Sequence, residues 1–138
     1  PRTIKKIEES NTEFHSLVRI MKPLGFFDYN NLQINAKVVL SDSGTITEES
    51  SILNFPAINI RESHERPEGM EEGSVIMAGL EIQTITQAIK ILESQSRNEN
   101  RLMNIPKDYK VTNVSEKILR IINSYTDYVN RSVWKKNK

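Results

Sequence analysis

The sequence contains no cysteine among its 138 residues. A disulfide framework and thiolate metal sites are therefore excluded, and the composition is compatible with the reducing environment of the cytoplasm. No apolar run approaches the roughly 20 residues that a membrane-spanning helix needs, and no secretory signal pattern opens the chain. We therefore expect a cytoplasmic protein that does not bind a membrane.

The chain also has little excess charge. Its 19 Lys and Arg residues nearly balance its 18 Asp and Glu residues, which gives a formal net charge of +1. Because both signs are spread along the chain, the electrostatics do not favour binding to nucleic acid. The two histidines, His15 and His64, are isolated and lack clustered acids, so no metal site is predicted. The pattern G-x-G-x-x-G is absent, which argues against a standard dinucleotide site, and no cofactor is expected.

Length and composition favour one α/β domain. With 37% hydrophobic residues, 138 residues are enough for one core and too few for two ordinary domains. No internal repeat or low-complexity segment is present. The chain starts at Pro1 rather than at Met, so we expect it to be a piece of a longer protein.

Apolar periodicity divides the chain into alternating helices and strands. The pattern predicts helices at residues 3–10, 25–35, 45–54 and 82–92 and from 113 onwards, with strands at residues 16–21, 38–40, 57–60 and 75–77. Strands that alternate with helices in this way favour a parallel sheet with helical crossovers. Asn113 with Glu116 suggests a capping box at the start of the last helix.

The most informative segment is Ser41-Asp-Ser-Gly-Thr-Ile-Thr-Glu-Glu49. It follows a predicted strand and opens a predicted helix, where unpaired backbone N–H groups and the helix dipole favour an anion such as phosphate. Thr45 and Glu48 have the spacing of a capping box, and Gly44 leaves room for a ligand to approach the backbone. The alternative is an ordinary strand-to-helix turn whose polar residues only cap the helix.

A second polar turn follows the next predicted strand. Residues 61–69 are charged and come directly after the apolar residues 57–60. In an open parallel sheet, ligands bind outside the carboxyl ends of the strands, so we expect both turns to face one crevice. The two turns together are a candidate binding site.

These turns also resemble a known family. Asp42-Ser43-Gly44 with Glu48-Glu49, and Arg61 with Glu65-Arg66-Pro67-Glu68, look like the signature of the non-hydrolysing UDP-N-acetylglucosamine 2-epimerases. Pro1-Arg2-Thr3 and Pro23-Leu24 match as well. The resemblance covers essentially the whole chain but only the second half of such an enzyme. It implies a three-layer, Rossmann-like α/β domain over residues 1–138, the C-terminal UDP-binding half of a glycosyltransferase-B-type two-domain fold.

The resemblance implies an isomerase that inverts C2 of a UDP-linked 2-acetamido sugar by loss and re-addition of UDP, for bacterial polysaccharide synthesis. Ser43, Gly44 and Thr45 would hold the diphosphate, Glu49 would accept hydrogen bonds from ribose hydroxyls, and Arg66 would pair with phosphate. Tyr29 matches the position of an aromatic residue near the uracil. In the family a catalytic histidine directly precedes Pro-Arg-Thr, so no certain catalytic residue lies within this chain, and the fragment alone is expected to be inactive.

Several positions depart from the common family pattern. Thr45 stands where the second glycine of Asp-Ser-Gly-Gly is usual, Thr47 replaces a glutamine, and Ser63-His64 replaces a pair of threonines. With the tail from Ser124 to Arg131 and Trp134, these changes resemble the branch that forms UDP-N-acetyl-L-fucosamine for capsule or O-antigen. The partners implied are a UDP-sugar, the missing N-terminal domain and, in the full-length protein, a second copy in a homodimer.

Other interpretations remain open at this point. Glu48 and Glu49 are also suited to the first turn of a helix without any ligand, and Arg66 is flanked by acids with which it can form a surface ion pair. Tyr125, Tyr128 and Trp134 are more typical of packing than of a ligand site. A glycosyltransferase C-terminal domain and a non-catalytic doubly wound binding domain are the alternative functions.

The last predicted helix is longer than a small sheet needs. Its apolar residues recur at helical spacing from Val114 to Val133. An exposed apolar stripe of this length needs a partner. We therefore expect residues 113–138 to reach the missing N-terminal domain.

Overall fold

The computed structural model describes residues 2–63, 65–97 and 99–136. Predictions that include Pro1, His64 or the last two residues lie, to that extent, outside the described residues. The chain falls into two compact units, Pro1–Asn30 and Asn31–Lys138. The expectation of one domain over residues 1–138 stays a prediction.

The first unit contains helix α1, Arg2–Glu9, as predicted. Helix α2, Phe26–Asn35, begins in this unit and ends in the second. The strand predicted at residues 16–21 is wrong, because the backbone there forms a turn in which the Val18 N–H donates to the His15 carbonyl. No strand forms among the described residues of this unit. An extended segment at 16–21 would therefore have no neighbouring strand with which to pair its backbone N–H and C=O groups.

The second unit is built on a three-stranded parallel sheet in the order β1-β2-β3. The strands are β1, Val39–Ser41, β2, Ala57–Asn59, and β3, Ile76–Met77. Val39 lies opposite Ala57, and Ile58 lies opposite Ile76. The three strands predicted in this unit are therefore confirmed, each shortened or shifted by one residue.

Helices connect and cover these strands. They are α3, Ile46–Leu53, α4, Pro67–Glu71, α5, Ile82–Leu92, and α6, Val114–Ser132, with a short 3-10 helix at Lys107–Lys110. The sequence pattern predicted α3, α5 and α6 but missed α4 and the 3-10 helix. Both missed elements have only four or five residues, too few to show an apolar period.

The core has two layers, one on each face of β2. Ala57 packs with Ile46 of α3, while its neighbour Ile58 points to the opposite face and packs with Ala88 of α5. Successive strand residues point to opposite faces, so one short strand contributes to both layers. All three residues of β2 are buried. The three-layer α/β prediction is confirmed.

Neither predicted capping box forms. Thr45 and Asn113 do precede α3 and α6, but neither side chain caps the helix that follows. The backbone of Thr45 is already helical, at φ −71° and ψ −12°, whereas a capping residue needs an extended conformation. Glu48 is instead bound to Arg66, and Glu116 accepts a hydrogen bond from Ser115.

Two arginines tie the polar segment after α5 to helix ends. Arg97 donates to the carbonyls of Ala36 and Lys37, just after α2, and Arg101 donates to those of Ser51 and Ile52 in the last turn of α3. Cations are favoured at helix C-termini, where carbonyl groups lack partners. This irregular segment is therefore fixed to the domain by its side chains.

Ser50 links α3 to the chain segments that precede β2 and β3. It is 3% exposed, and its Oγ lies 2.7 Å from the carbonyl of Phe55 and 3.1 Å from that of Ser74. We predict that Ser50→Ala lowers the free energy of unfolding by about 1 kcal/mol, because buried carbonyls lose a donor. Urea unfolding of the chain measures this change.

Ser51→Ala is the matched control for that variant. Ser51 is also buried, at 6% exposure, but no hydrogen-bond partner for its Oγ is found among the described residues. Its replacement should leave stability unchanged or slightly raised, since alanine is the better helix former. Equal effects of the two substitutions would contradict the role given to Ser50.

Candidate functional site

The turn between β1 and α3 forms a relay of side-chain hydrogen bonds. The Thr45 hydroxyl donates to Oε1 of Glu49 at 2.8 Å, and the Ser43 and Thr45 hydroxyl oxygens lie 2.9 Å apart. Since Thr45 has one hydroxyl hydrogen and gives it to Glu49, Ser43 is the donor to Thr45. The relay therefore ends on the Glu49 carboxylate, in the first turn of the helix.

Glu49 is bound on its other side by α2. The Gln33 amide donates from Nε2 to Oε2 of Glu49 at 2.6 Å. Gln33 is 3% exposed, whereas Glu49 is half-buried. Both carboxylate oxygens of Glu49 are thus hydrogen-bonded, one from within its own turn and the other from a neighbouring helix.

The turn after β2 joins the first turn through an ion pair. Nε of Arg66 lies 2.6 Å from Oε1 of Glu48, although the two residues are 18 positions apart. The hydrogen bond to Glu48, together with its opposite charge, raises the pKa of Arg66 above its ordinary value, so the guanidinium stays charged. The two turns are therefore neighbours, as predicted, and that they face one ligand-binding crevice stays a prediction.

A second ion pair lies against Gly44. Arg61 binds the carboxylate of Glu65 at 2.6 Å, and the hydrogen bond and charge of Glu65 raise the pKa of Arg61. A Cβ placed on Gly44 would lie 3.0 Å from Oε2 of Glu65 and 3.9 Å from a terminal nitrogen of Arg61. The glycine therefore lets a carboxylate and a guanidinium approach the backbone at the start of α3.

Close packing supports the turn that presents Arg66. A Cβ on Gly69 of α4 would collide with Cγ2 of Thr47, which is fully buried in α3. The hydroxyl of Tyr109 donates to Oε1 of Glu68 at 2.8 Å. Burial, followed by this hydrogen bond, raises the pKa of Tyr109 well above its ordinary value. Arg66 thus stands at the start of a helix that is fixed on two sides.

The structure brings five of the six predicted site residues together in the second unit. Ser43, Thr45 and Glu49 form the relay, Gly44 lies beside the Arg61–Glu65 pair, and Arg66 joins the turns through Glu48. The sixth, Tyr29, lies on α2 in the first unit and is 43% exposed. The ligand roles assigned to these residues stay predictions.

Sequence reasoning assigned no site role to three residues that shape this site. Gln33 is a polar residue in the helix predicted at residues 25–35, and its burial depends on tertiary packing that the local sequence does not reveal. Arg61 belongs to the charged turn and was noticed only as part of the family signature. Tyr109 lies about 40 residues after the turns, in a segment without apolar periodicity, so no local signal indicated it.

Other kinds of site find no support in the part of the chain that the structure describes. Among residues 2–63, 65–97 and 99–136, no three His, Cys, Asp or Glu side chains are grouped closely enough to hold a metal ion. The helices in these same ranges are all too short or too polar to span a bilayer.

The arrangement suits an anionic ligand that carries hydroxyl groups. Hydroxyl groups and a helix start lie in one turn, and two guanidinium groups lie in the other. The Glu49 carboxylate can accept hydrogen bonds from ligand hydroxyls while Ser43 and Thr45 remain near the anion. A parallel α/β domain with these groups at the carboxyl ends of its strands is typical of nucleotide-binding proteins.

Comparison with known proteins identifies the family. The sequence model of the family described as UDP-N-acetylglucosamine 2-epimerase matches residues 1–123. The structure of UDP-N-acetylglucosamine 2-epimerase from Rickettsia bellii is similar over 99% of this chain, with a TM-score of 0.87 and 48% identity. The chain belongs to the UDP-N-acetylglucosamine 2-epimerase family, as the sequence signature predicted.

Two archaeal relatives agree with this assignment. The structure of Methanocaldococcus jannaschii UDP-GlcNAc 2-epimerase in complex with UDP-GlcNAc and UDP matches 90% of this chain, with a TM-score of 0.76 and 30% identity. The UDP-N-acetylglucosamine 2-epimerase of Methanococcus maripaludis is 35% identical over 104 residues, or 72% of this chain. The chain covers 38%, 34% and 28% of the Rickettsia, Methanocaldococcus and Methanococcus proteins, so it spans about a third of their length.

The raised pKa of Tyr109 predicts a dependence of stability on alkaline pH. Because the folded-state pKa lies above the unfolded one, the contribution of this phenol is complete below the unfolded pKa and is lost as pH rises past it. Between about pH 9 and pH 11, the free energy of unfolding should fall more steeply for the unchanged chain than for Tyr109→Phe. Denaturant titrations at several pH values measure the two slopes.

Tyr125→Phe is the control for this comparison, since Tyr125 is 57% exposed on α6. This substitution removes a phenol from the surface, so the free energy of unfolding should fall with pH as steeply as it does in the unchanged chain. If Tyr109→Phe and Tyr125→Phe give the same slope, burial does not hold the Tyr109 proton.

Proposed function

We propose that this chain is the C-terminal, UDP-binding part of an enzyme that inverts C2 of a UDP-linked 2-acetamido sugar for bacterial surface polysaccharide synthesis. The observation that supports it best is the relay Ser43–Thr45–Glu49 in a turn that the Glu48–Arg66 ion pair joins to the next turn, in a chain that belongs to the epimerase family. The substrate branch that forms UDP-N-acetyl-L-fucosamine stays a prediction from the tail and turn residues.

The proposed reaction is an elimination followed by an addition. A base takes the proton from C2, the electron pair of the C2–H bond forms a C1–C2 double bond, and UDP departs from C1 with the electron pair of the bond to its diphosphate oxygen. Re-addition of UDP to C1 and of a proton to the other face of C2 gives the epimer. Since C2 has no adjacent carbonyl, the reaction depends on stabilising the negative charge that develops on UDP.

In this proposal the described residues bind the leaving group. Ser43, Gly44 and Thr45 bind the diphosphate at the start of α3, and Arg66 supplies a planar guanidinium to its oxygens. The ion pair with Glu48 holds Arg66 at the crevice before the ligand arrives. Glu49 accepts hydrogen bonds from the ribose hydroxyls, and the role of Tyr29 near the uracil stays a prediction.

The proton-transfer groups are proposed to lie in the N-terminal domain, outside this chain. Helix α6 would contact that domain, since all of its described residues are at least partly exposed and its apolar side chains include Ile118, Ile121 and Tyr125, each at least 50% exposed. The complete enzyme is proposed to act in the cytoplasm as a homodimer.

An assay in deuterium oxide tests the function. A complete enzyme that contains this chain should convert UDP-N-acetylglucosamine or its fucosamine-branch counterpart to the C2 epimer and place one deuterium at C2, which NMR detects. Transfer of the sugar to an acceptor, without epimer, would support a glycosyltransferase instead. The 138-residue chain alone should bind UDP weakly and show no turnover.

Arg66→Ala should lower kcat/KM of the complete enzyme by about two powers of ten, the scale of losing a charged contact to a leaving group. Folding should survive, because Arg66 is partly exposed and lies in a turn. Lys90→Ala, which removes one positive charge from an exposed position of α5, is the control and should keep full activity. A fully active Arg66→Ala enzyme would show that the ion pair is only structural.

Removal of residues 128–138 should separate the role of α6 from the stability of this chain. Since α6 contributes no buried residue among those described, the melting temperature of the 138-residue chain should fall by less than about 4 °C. Epimerisation by the complete enzyme should nevertheless be impaired. Loss of cooperative unfolding in the shortened chain would instead show that the helix belongs to the local core.

A further inference from the structure

Gln33 is the one side chain of α2 that is fully withdrawn from solvent in the described structure, at 3% exposure, although it is polar. Its Nε2 lies 2.6 Å from Oε2 of Glu49. Its Oε1 is also buried, and among the described residues that oxygen has no hydrogen-bond partner. The residue therefore makes one short, charge-assisted hydrogen bond and leaves its other polar atom unsatisfied.

Packing alone does not account for this glutamine. A buried acceptor without a partner costs free energy, and methionine has a similar shape without polar atoms. What methionine lacks is the N–H donor to Glu49. The hydrogen bond to the Glu49 carboxylate therefore accounts for an amide at this position, and packing in the core does not.

Two fixed donors determine how the Glu49 carboxylate is oriented. Thr45 donates to Oε1 and Gln33 donates to Oε2, so rotation about the last side-chain bond would break both hydrogen bonds. An ionised carboxylate has about four lone-pair positions, and these donors use one on each oxygen. Each oxygen keeps one further position, and this pair of acceptors matches two hydroxyls on adjacent carbons.

We propose that Gln33 is a positioning residue that fixes Glu49 to accept both hydroxyls of a ribose cis-diol, and that it thereby sets the preference for ribonucleotides over 2′-deoxynucleotides. The inference rests on the proposed function, in which Glu49 contacts the ribose. Gln33 itself does not contact the ligand. It acts through the orientation of the carboxylate.

Calorimetric titration of the complete enzyme with UDP and with 2′-deoxy-UDP tests this inference. Gln33→Met should weaken UDP binding about tenfold, the scale of one hydrogen bond to a charged group, while 2′-deoxy-UDP binding changes little. The preference for UDP should therefore shrink. The KM for the UDP-sugar should rise while kcat changes less than about threefold, because ribose contacts are similar in ground and transition states.

Three further variants complete the experiment. Gln87→Met makes the same change at an exposed position of α5 and should match the unchanged enzyme. Glu49→Gln should weaken UDP binding at least as much as Gln33→Met. The double variant Gln33→Met/Glu49→Gln should bind no more weakly than Glu49→Gln alone, because both changes remove one shared function.

Gln33→Glu adds a pH-dependent readout that does not rely on the methionine variant folding. Two carboxylates at this distance repel when both are ionised, whereas a protonated carboxyl group at position 33 donates a hydrogen bond as the amide does. The ratio of the variant's UDP dissociation constant to that of the unchanged enzyme should be large at about pH 8 and should fall towards pH 5.5. A ratio that stays constant over this range contradicts the donor role.

The outcomes separate this inference from the proposed function. If Glu49→Gln leaves UDP binding unchanged, Glu49 does not bind the ribose, and the positioning role of Gln33 is then wrong as well. If Glu49→Gln weakens binding but Gln33→Met behaves like Gln87→Met, the ribose site stands and the positioning role is wrong. An equal loss of affinity for UDP and 2′-deoxy-UDP in Gln33→Met would show that Gln33 is merely structural.

Discussion

The structure depends on the burial of β2 between two parallel neighbours and between helices on both faces. Ala57 and Ile58 point to opposite layers, so this strand holds α3 on one side and α5 on the other. Parallel pairing also places the carboxyl ends of β1 and β2 at the same edge. The turns that follow these strands are therefore neighbours before any polar contact between them forms.

Polar contacts then convert this proximity into a defined arrangement. Glu48 and Arg66 join the two turns, and the closely packed pair Thr47 and Gly69 fixes α4 against α3. On the other side, Gln33 joins α2 to α3 through Glu49. Glu48 and Glu49, which are adjacent in one helix turn, thus bind different parts of the domain. Glu48 binds the turn after β2, and Glu49 binds α2, the helix before β1.

The local sequence pattern predicts much of this fold. It predicts less of the candidate site. Apolar runs and turn residues were sufficient to locate β1, α3 and β2, and the family signature identified the turns around Gly44 and Arg66. The capping role of Thr45 was predicted from spacing alone. Its backbone is helical and its hydroxyl donates to Glu49, so Thr45 does not cap the helix. Gln33 and Tyr109 could not be found, because their partners are 16 and 41 residues away and only tertiary packing brings them together.

The ion pairs at the crevice also determine how charge can act there. Arg61 and Arg66 are already paired with Glu65 and Glu48, and Glu49 adds a further carboxylate, so acidic groups outnumber the guanidinium groups. In the proposed function, an approaching diphosphate would therefore meet no strong long-range positive field. Its capture depends on exchanging carboxylate contacts for phosphate contacts at short range. If the proposed function is correct, hydrogen-bond geometry would decide which ligand binds between these turns, and electrostatic steering would add little to the rate of encounter.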